Sequence, residues 1–270
     1  MRIIRAKLAI LNKYPRSSAQ IRGNFLFISV HQCFYQCSSV VRFLVAAWRR
    51  CASVVSFQKL PLKDQLEELT AKLRALVPSE RLASIDRAVE ELKSSGLAGR
   101  ALKEGDQAPS FELPDGDGLI WLSTDLLQRG PLVLVFYRGR WCAYCNTQLQ
   151  ALQQVHSQIA ASGASLVAIS PQTQKHTYIT RDMHTLKFPV LSDQGNHVAK
   201  KFGLVYRLSP GMQSLYESIM TKLPGYNGDK SWELPLAATY IVQPDGKIKY
   251  ARVDADWRQR PEPAETITNL

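Results

Sequence analysis

The chain has 270 residues, 45% of them hydrophobic, and its 34 basic and 23 acidic side chains give a formal net charge of +11. This length holds one domain with an extension or two small domains, and the composition excludes a low-complexity protein. Five cysteines are too few and too unevenly spaced for a disulfide framework. The first 63 residues carry eleven basic side chains and no acidic one, so residues 64–270 are formally neutral. Because the excess charge is confined to this first segment, we expect no nucleic-acid partner.

Residues 1–57 form a basic, acid-free extension that we expect to be disordered. Its Arg and Ser content is typical of an organelle transit segment, although an extension that does not belong to the mature protein would look the same. An uncharged stretch over residues 24–41 contains too many polar side chains to span a membrane, and Arg42 follows it directly. We therefore expect no stable membrane insertion. The expected location is cytoplasmic, or mitochondrial if the extension is a genuine transit segment.

Residues 58–100 are predicted to form a helical hairpin in front of the main domain. Pro78 ends the first helix, Ser79 can cap the second, and Gly96 is a natural end for it. Such a hairpin packs on its own domain or on a second subunit, so a homodimer is one arrangement that the pattern allows. The apolar residues recur at steps of three and four, as on one face of each helix: Leu66, Leu69, Leu73, Leu76, Ile85, Val89 and Leu92.

Residues 101–270 predict an α/β domain. Continuous apolar runs at 131–137 and 165–170 indicate strands covered on both faces, and the spacing between them predicts a helix that ends at Gly163. This βαβ unit is followed by a helix, a β-hairpin and a last helix, which is the order of a thioredoxin-like fold with helices flanking a central mixed sheet. The later elements are a strand at 188–191, helices at 195–202 and from Ser209, a hairpin with strands at 239–242 and 247–251, and a short helix within 262–270.

Two cysteines, Cys142 and Cys145, lie where the predicted strand 131–137 gives way to the next helix. The first turn of a helix offers unpaired N–H groups and the positive end of the helix dipole, and both stabilise a thiolate. Cysteines in such positions have pKa values lowered from ~8.5 to roughly 3.5–7.5. Because a spacing of three residues puts both sulfur atoms on one face of that turn, one can attack a substrate while the other resolves the product as a disulfide.

Arg138, Arg140 and Trp141 precede the pair and are candidate auxiliary residues. A guanidinium group can stabilise a thiolate and the oxygen that departs from a cleaved O–O bond, although each arginine could equally be an ordinary surface charge. Trp141 either shields the sulfur atoms from water or belongs to the core. No histidine lies at ligand spacing, and the only other close cysteines, Cys33 and Cys37, are in the extension, so we expect no metal. A zinc site and an inert C-x-x-C pair are the alternatives.

The sequence around the pair resembles a known family. Residues 136–145 read Phe-Tyr-Arg-Gly-Arg-Trp-Cys-Ala-Tyr-Cys, similar to the signature Phe-Tyr-Arg-Gly-x-Trp-Cys-Pro-Tyr-Cys of peroxiredoxin-like proteins of the AhpC/TSA family. The resemblance implies a thioredoxin fold and the reduction of hydroperoxides, with thioredoxin or a similar dithiol as the electron donor and no metal or organic cofactor. It runs from about Leu62 to about Pro263 and includes segments 105–109, 168–173, 188–193, 226–229 and 231–235.

The chain departs from the family pattern at three points. Ala143 replaces a proline, Ala237 stands where relatives often have a proline, and the Pro-x-x-x-Thr-x-x-Cys pattern of typical peroxiredoxins is absent. The helix cap favours Cys142 as the attacking residue, whereas peroxiredoxin spacing counted from Phe136 favours Cys145. We take Cys142 as the attacking and Cys145 as the resolving residue.

Two other functions fit the same pair. A thiol–disulfide oxidoreductase would act on protein disulfides, and a non-catalytic adaptor would use the thioredoxin fold without its thiols. Peroxide consumption coupled to a thioredoxin system distinguishes a hydroperoxide reductase from a thiol–disulfide oxidoreductase. A non-catalytic adaptor would keep its function when both cysteines are replaced by serine.

Overall fold

The computed structural model describes residues 60–270. The extension predicted over residues 1–57 lies outside the described residues, together with Cys33, Cys37 and Cys51 and the predictions of disorder and targeting. Among the residues that are described, no helix combines the length and the apolar character needed to cross a lipid bilayer.

Residues 60–270 fold into helices and short strands. The helices are α1 (Leu62–Leu76), α2 (Ser79–Ser94), α3 (Leu97–Arg100), α4 (Ser123–Leu127), α5 (Ala143–Ala161), α6 (Gln174–Met183), α7 (His197–Lys201), α8 (Pro210–Ser218), α9 (Leu223–Asn227) and α10 (Pro263–Thr268). The strands are β1 (Glu112–Pro114), β2 (Ile120–Leu122), β3 (Leu132–Phe136), β4 (Ser165–Ser170), β5 (Val190–Ser192), β6 (Val205–Arg207), β7 (Glu233–Pro235), β8 (Ala237–Val242) and β9 (Ile248–Asp254).

Five strands form the central sheet in the order β5-β4-β3-β8-β9. β4 pairs in parallel with both β3 and β5, whereas β8 runs antiparallel to β3 and to β9. α5 connects β3 to β4 as the crossover of a βαβ unit, and Phe136 lies opposite Ile169 at the end of that pair. Because the sheet is mixed and helices flank it, the predicted α/β, thioredoxin-like fold class is confirmed.

The central strand β3 is buried along its whole length. Each of its five residues is at most 1% exposed, as expected for a run of apolar side chains covered on both faces. Leu149, Leu152 and Ile159 on α5 pack into the same core from one face of the helix. β3 and α5 therefore form a fixed base for the loop between them, residues 137–142.

The sequence does not predict the small antiparallel sheet of β6 and β7. Tyr206 lies opposite Leu234 in this pair, and each strand has only three residues. A strand of that length is too short for an alternating pattern to be recognised. A turn rich in Asp and Gly, at residues 115–118, joins the two short strands β1 and β2, which pair antiparallel.

Helices α1 and α2 pack on different parts of the domain. α1 contacts α5, and α2 contacts α8. Both helices contribute to the apolar core that contains the sheet, through Leu62, Leu66, Val89 and Leu92. Leu76 departs from the predicted apolar stripe, because this last residue of α1 is 81% exposed.

The end of the chain returns to the start of α1. The Glu262 carboxylate accepts hydrogen bonds from the backbone N–H groups of Leu62 and Lys63, at 3.0 and 2.7 Å. N–H groups in the first turn have no partner within their own helix, and a carboxylate at this end also interacts favourably with the helix dipole. The segment after β9 is thereby held in place across the domain.

Candidate active site

The cysteine pair lies at the strand-to-helix junction that the sequence predicts. β3 ends at Phe136 and α5 begins at Ala143, so Cys142 is the N-cap of α5 and Cys145 lies in its first turn. The two sulfur atoms are 2.8 Å apart, and both thiols are free. This separation is longer than a disulfide bond of about 2.05 Å, and a small movement closes it.

The two thiols differ in their electrostatic properties. Burial raises the pKa of Cys142, and the hydrogen bond and charge of Cys145 raise it further. Burial also disfavours the Cys145 thiolate, but the hydrogen bond from Cys142, the charges of Arg260 and Arg138 and a backbone hydrogen bond from Arg138 lower its pKa to about 5. At neutral pH the pair therefore holds one negative charge on Cys145, to which the Cys142 thiol donates.

This charge distribution differs from the one expected at the helix cap. The sequence assigns the thiolate to Cys142, because a capping residue faces the unpaired N–H groups of the first turn. The surroundings favour it on Cys145 instead: Arg260 and Arg138 lower the pKa of both thiols, but the hydrogen bond between the two sulfur atoms lowers that of Cys145 and raises that of Cys142. Cys142 is the more exposed of the two, although at 4% against 0% both are buried.

Arg260 is a site residue that the sequence analysis does not identify. Its Nη2 lies 3.5 Å from the Cys145 sulfur, and its Nε donates to the Gln148 side-chain oxygen at 2.8 Å. Gln148 is one turn after Cys145 on α5, so it holds the guanidinium group next to the sulfur. Arg260 follows Cys145 by 115 residues, and no spacing rule connects positions so far apart.

Arg138 is a buried cation next to the pair. Its guanidinium carbon lies 4.2 Å from the centre of the Trp257 ring and 4.9 Å from that of Trp141. One nitrogen donates to the Tyr216 hydroxyl, whereas Nε is buried without a hydrogen-bond partner among the described residues. In the same part of the chain no ion pair involves Arg138, so the thiolate is the anion that its charge stabilises.

The Arg140 side chain has different neighbours from that of Arg138. Its Nη2 contacts the Met183 sulfur at 3.2 Å, and its guanidinium carbon lies 5.8 Å from the centre of the Tyr226 ring. The sequence analysis considers Arg140 either as a residue that stabilises the thiolate or as an ordinary surface charge, and in the structure its side chain extends towards α6 and α9. The backbone N–H of Arg140 still supports the loop by donating to the Gln172 side chain at 2.8 Å.

Access to the pair is through a cavity of about 340 Å³ that borders Cys142 and Trp141. The Trp141 ring meets that of Tyr216 edge to face, with centroids 5.2 Å apart, and is half-buried. It therefore lines the same cavity as Cys142, and its role in shielding the sulfur atoms from water stays a prediction. Within residues 60–270 no group of three His, Cys, Asp or Glu side chains is arranged to hold a metal ion.

Comparisons with known proteins agree with this architecture. The sequence profile of the AhpC/TSA family matches residues 104–251. A Mycobacterium tuberculosis protein named as a peroxiredoxin is 30% identical over 152 residues, which cover 56% of this chain and 85% of that protein. Peroxiredoxin Q of the wheat (Triticum aestivum) chloroplast is 28% identical over 145 residues, 53% of this chain and 65% of its own length.

A solved structure supports the fold independently. An X-ray structure of a Burkholderia cenocepacia protein described as a thioredoxin reductase superposes with a TM-score of 0.50, at 15% identity, over 63% of this chain and 98% of that one. The relatives and the thiol pair together make the chain a thiol-dependent peroxidase in general terms. The chain belongs to the AhpC/TSA family, as a peroxiredoxin-like protein with a thioredoxin-like fold.

Proposed function

We propose that the protein reduces hydroperoxides with Cys145 as the attacking thiolate and Cys142 as the resolving thiol. The observation that carries this proposal is the set of groups around the Cys145 sulfur: the hydrogen bond from Cys142 and the nearby guanidinium groups lower its pKa to about 5 and favour the thiolate at neutral pH. Arg260 and Arg138 are the cations around it, and the Cys142 sulfur is 2.8 Å away. The thiolate is the reactive form of cysteine, so the residue that attacks is the one that is ionised.

The reaction balances with the groups that are present. The Cys145 thiolate attacks one peroxide oxygen, the O–O bond breaks, and Cys145 becomes a sulfenic acid while the other oxygen departs with the electron pair. The Cys142 thiol supplies the proton that converts this oxygen into an alcohol or water, which leaves Cys142 as a thiolate. Cys142 then attacks the sulfenic sulfur, a disulfide forms, and hydroxide departs as water after taking up a proton. The guanidinium groups of Arg260 and Arg138 stabilise the departing oxygen.

This assignment exchanges the roles that the sequence analysis gives to the two cysteines. Position favours Cys142, because it borders the cavity while Cys145 has no exposed surface. Ionisation favours Cys145, and it decides the assignment because a thiol with a raised pKa is a poor nucleophile at neutral pH. Because Cys145 does not border the cavity, this assignment requires the Cys142 side chain to rotate before a peroxide can reach the Cys145 sulfur.

Burial of both sulfur atoms also bears on the alternative of a protein disulfide reductase. An attacking thiolate must reach the disulfide sulfur in line, and the cavity that borders Cys142 has a volume of only about 340 Å³. A hydroperoxide fits such a space, whereas a folded protein must first displace α1, α2 or Trp141. The geometry therefore favours a small peroxide as the oxidising substrate.

Regeneration requires two electrons, and we propose thioredoxin or a similar dithiol as their source. The dithiol attacks one sulfur of the Cys142–Cys145 disulfide and then releases itself as the oxidised disulfide. Activity supported by thioredoxin with thioredoxin reductase, and not by glutathione alone, is the expected result.

We further propose a cytoplasmic location, or a mitochondrial one if residues 1–57 act as a transit segment. We also propose a homodimer, which light scattering of the purified protein tests.

The roles of the two cysteines are tested by single-turnover oxidation. We expect the Cys142→Ser variant to consume one equivalent of peroxide and to keep a sulfenic acid on Cys145, because the resolving thiol is missing. We expect the Cys145→Ser variant to consume none. Peptide mass mapping with a sulfenic-acid probe identifies the oxidised residue, and this is necessary because the chain has three further cysteines. A sulfenic acid on Cys142 in the Cys145→Ser variant would reverse the assignment.

A further inference from the structure

Two parts of the chain that lie outside the AhpC/TSA profile bind each other beside the thiol pair. The profile matches residues 104–251, whereas α1 and α2 end before this range and the C-terminal segment, residues 256–262, follows it. Resting on the function proposed above, we propose that Asp86 and Glu262 are positioning residues of the reaction. Through these two carboxylates, helices α1 and α2 hold the C-terminal segment against the thiol pair.

The C-terminal segment has residues that face the site and residues that face the helices. The Trp257 ring lies against a buried guanidinium group of the site, and Arg260 approaches the Cys145 sulfur to 3.5 Å. Arg258 binds α2, and Glu262 binds α1. Because these residues are close neighbours in the chain, a shift of the segment on the helices also moves Trp257 and Arg260 relative to the sulfur atoms.

Glu262 attaches the segment to α1 with both carboxylate oxygens. They accept hydrogen bonds from the N–H groups of Leu62 and Lys63, at 3.0 and 2.7 Å. Prolines stand on both sides of Glu262, and each proline fixes its own φ and restricts the residue before it. The chain from Arg260 to Glu262 is therefore stiff, so a displacement of the carboxylate is passed on to Arg260.

Asp86 attaches the segment to α2 through Arg258. Arg258 Nη1 donates to one Asp86 oxygen at 2.7 Å, while its Nε and Nη2 donate to the two oxygens of Asp256 at 2.7 and 2.9 Å. Asp86 also contacts Arg74 of α1 at 3.3 Å, so one carboxylate connects both helices to the segment. Charges that form a network of this kind fix a geometry better than an isolated surface pair does.

α1 is also attached to the helix that carries the thiols. The hydroxyl oxygens of Thr70 and Tyr144 are 3.1 Å apart, and Tyr144 lies between the two cysteines in the sequence. Thr70 donates its single hydroxyl hydrogen to the Leu66 carbonyl at 2.7 Å, so Tyr144 donates to Thr70. α1 thus binds both the first turn of α5 and the C-terminal segment, and it fixes these two sides of the site relative to each other.

The consequence for the reaction is electrostatic. Cys145 faces the Cys142 thiol and the guanidinium groups of Arg138 and Arg260, and of these only Arg260 belongs to the C-terminal segment. Gln148 holds its guanidinium end from α5, while α1 and α2 hold the backbone that carries it. Lengthening the 3.5 Å separation by about 1.5 Å weakens the attraction by about 30%. Two further titratable side chains interact with Cys145 and stay neutral because burial raises their pKa values: Tyr137 and Tyr206.

The test measures the pH midpoint at which Cys145 ionises. The signal is the ultraviolet absorbance of the thiolate in a Cys142→Ser background, minus that of the protein in which both cysteines are serine. We expect Glu262→Ala to raise the midpoint by at least about 0.5 pH units, about a third of the effect of removing the Arg260 charge. We expect Asp86→Ala to raise it as well. The acidic limb of peroxide consumption moves in the same direction in variants that keep both thiols.

Two comparisons separate positioning from a general loosening of the fold. Glu265→Ala removes a carboxylate of the same region that accepts a hydrogen bond from Tyr250 rather than from α1, and we expect an unchanged midpoint. In an Arg260→Met background, we expect Glu262→Ala to cause no further rise, because the charge that it positions is missing. Circular dichroism identifies the folded variants. If Glu262→Ala does not fold, Glu262→Gln decides, since an amide oxygen can accept only one of the two N–H bonds and should give a smaller rise.

The outcomes distinguish this inference from the proposed function. An unchanged midpoint in Glu262→Ala or in Asp86→Ala would overturn the role of that residue. An equal rise in Glu265→Ala, or an equal rise from Glu262→Ala in the Arg260→Met background, would overturn positioning through Arg260. Because the titration needs no peroxide, each of these results leaves the peroxidase in place. Absence of hydroperoxide turnover by the unchanged protein would overturn the proposed function, and with it a role of these residues in that reaction.

Discussion

Replacing Arg260 by methionine tests how the protein ionises Cys145. The substitution keeps an unbranched side chain of similar length and removes a positive charge that lies 3.5 Å from the sulfur. Two unit charges about 4 Å apart interact by about 4 kcal/mol at an effective dielectric constant of about 20, which corresponds to about 3 pKa units. Because Arg260 is half-buried and solvent screens part of its charge, we expect between a third and two thirds of that value.

The expected result is therefore a rise in the Cys145 pKa from about 5 to about 6.5. Arg138 keeps it below the value of an ordinary cysteine. The acidic limb of the rate profile moves to higher pH by the same amount, since only the ionised form attacks. At about pH 6 the ionised fraction falls about fourfold, whereas at about pH 8 both proteins are ionised. A loss of rate that persists at about pH 8 measures the separate contribution of Arg260 to the departing oxygen.

The assay is an ultraviolet titration of the thiolate in a Cys142→Ser background, in which serine keeps a hydrogen-bond donor. The pH dependence of peroxide consumption by the otherwise unchanged protein accompanies it. Arg260→Lys retains the charge and is expected to keep a low pKa, and Arg129→Met removes an exposed arginine elsewhere as the control. An unchanged Cys145 pKa in Arg260→Met would refute the electrostatic argument.

Three further substitutions have defined outcomes. Tyr216→Phe removes an acceptor from the buried Arg138 guanidinium and should lower the free energy of unfolding by about 1.5–3 kcal/mol in urea titrations. Leu149→Ala empties a fully buried position of α5 and should cost about 2–5 kcal/mol in the same measurement. Gly139→Ala adds a side chain where φ is +146° and places its Cβ 2.6 Å from Trp141 Nε1. It should cost about 1–3 kcal/mol, change the tryptophan fluorescence and lower peroxide turnover; unchanged fluorescence would contradict the contact.

The fold was predictable from local patterns because its central unit is continuous in sequence. β3, α5 and β4 follow one another, and each has a clear apolar pattern, so their order and parallel pairing follow from the chain alone. β6 and β7 were not predictable, because three residues carry too little periodicity and their pairing depends on tertiary contacts. Leu76 was also not predictable, because it continues the apolar stripe of α1 but is exposed. The stripe does not show at which residue the helix stops packing on the domain.

The candidate site was predictable only as far as it is local. Cys142 and Cys145 lie on one helical turn, and Arg138 comes from the loop before it, so their proximity follows from the spacing. Arg260 and Trp257 reach the same place from the last part of the chain, and nothing in the sequence connects them to the pair. The sequence could therefore identify the pair but could not determine which sulfur carries the charge.

The late position of Arg260 has a consequence during synthesis. The ribosome completes the cysteine pair more than a hundred residues before the guanidinium that ionises it, and Glu262, which fastens this segment to α1, comes later still. A nascent chain thus carries Cys145 without the Arg260 charge that lowers its pKa until the 115 residues that lead to Arg260 have been added. Before Arg260 docks on Gln148, the Cys145 thiol has a higher pKa and is therefore less reactive towards oxidants.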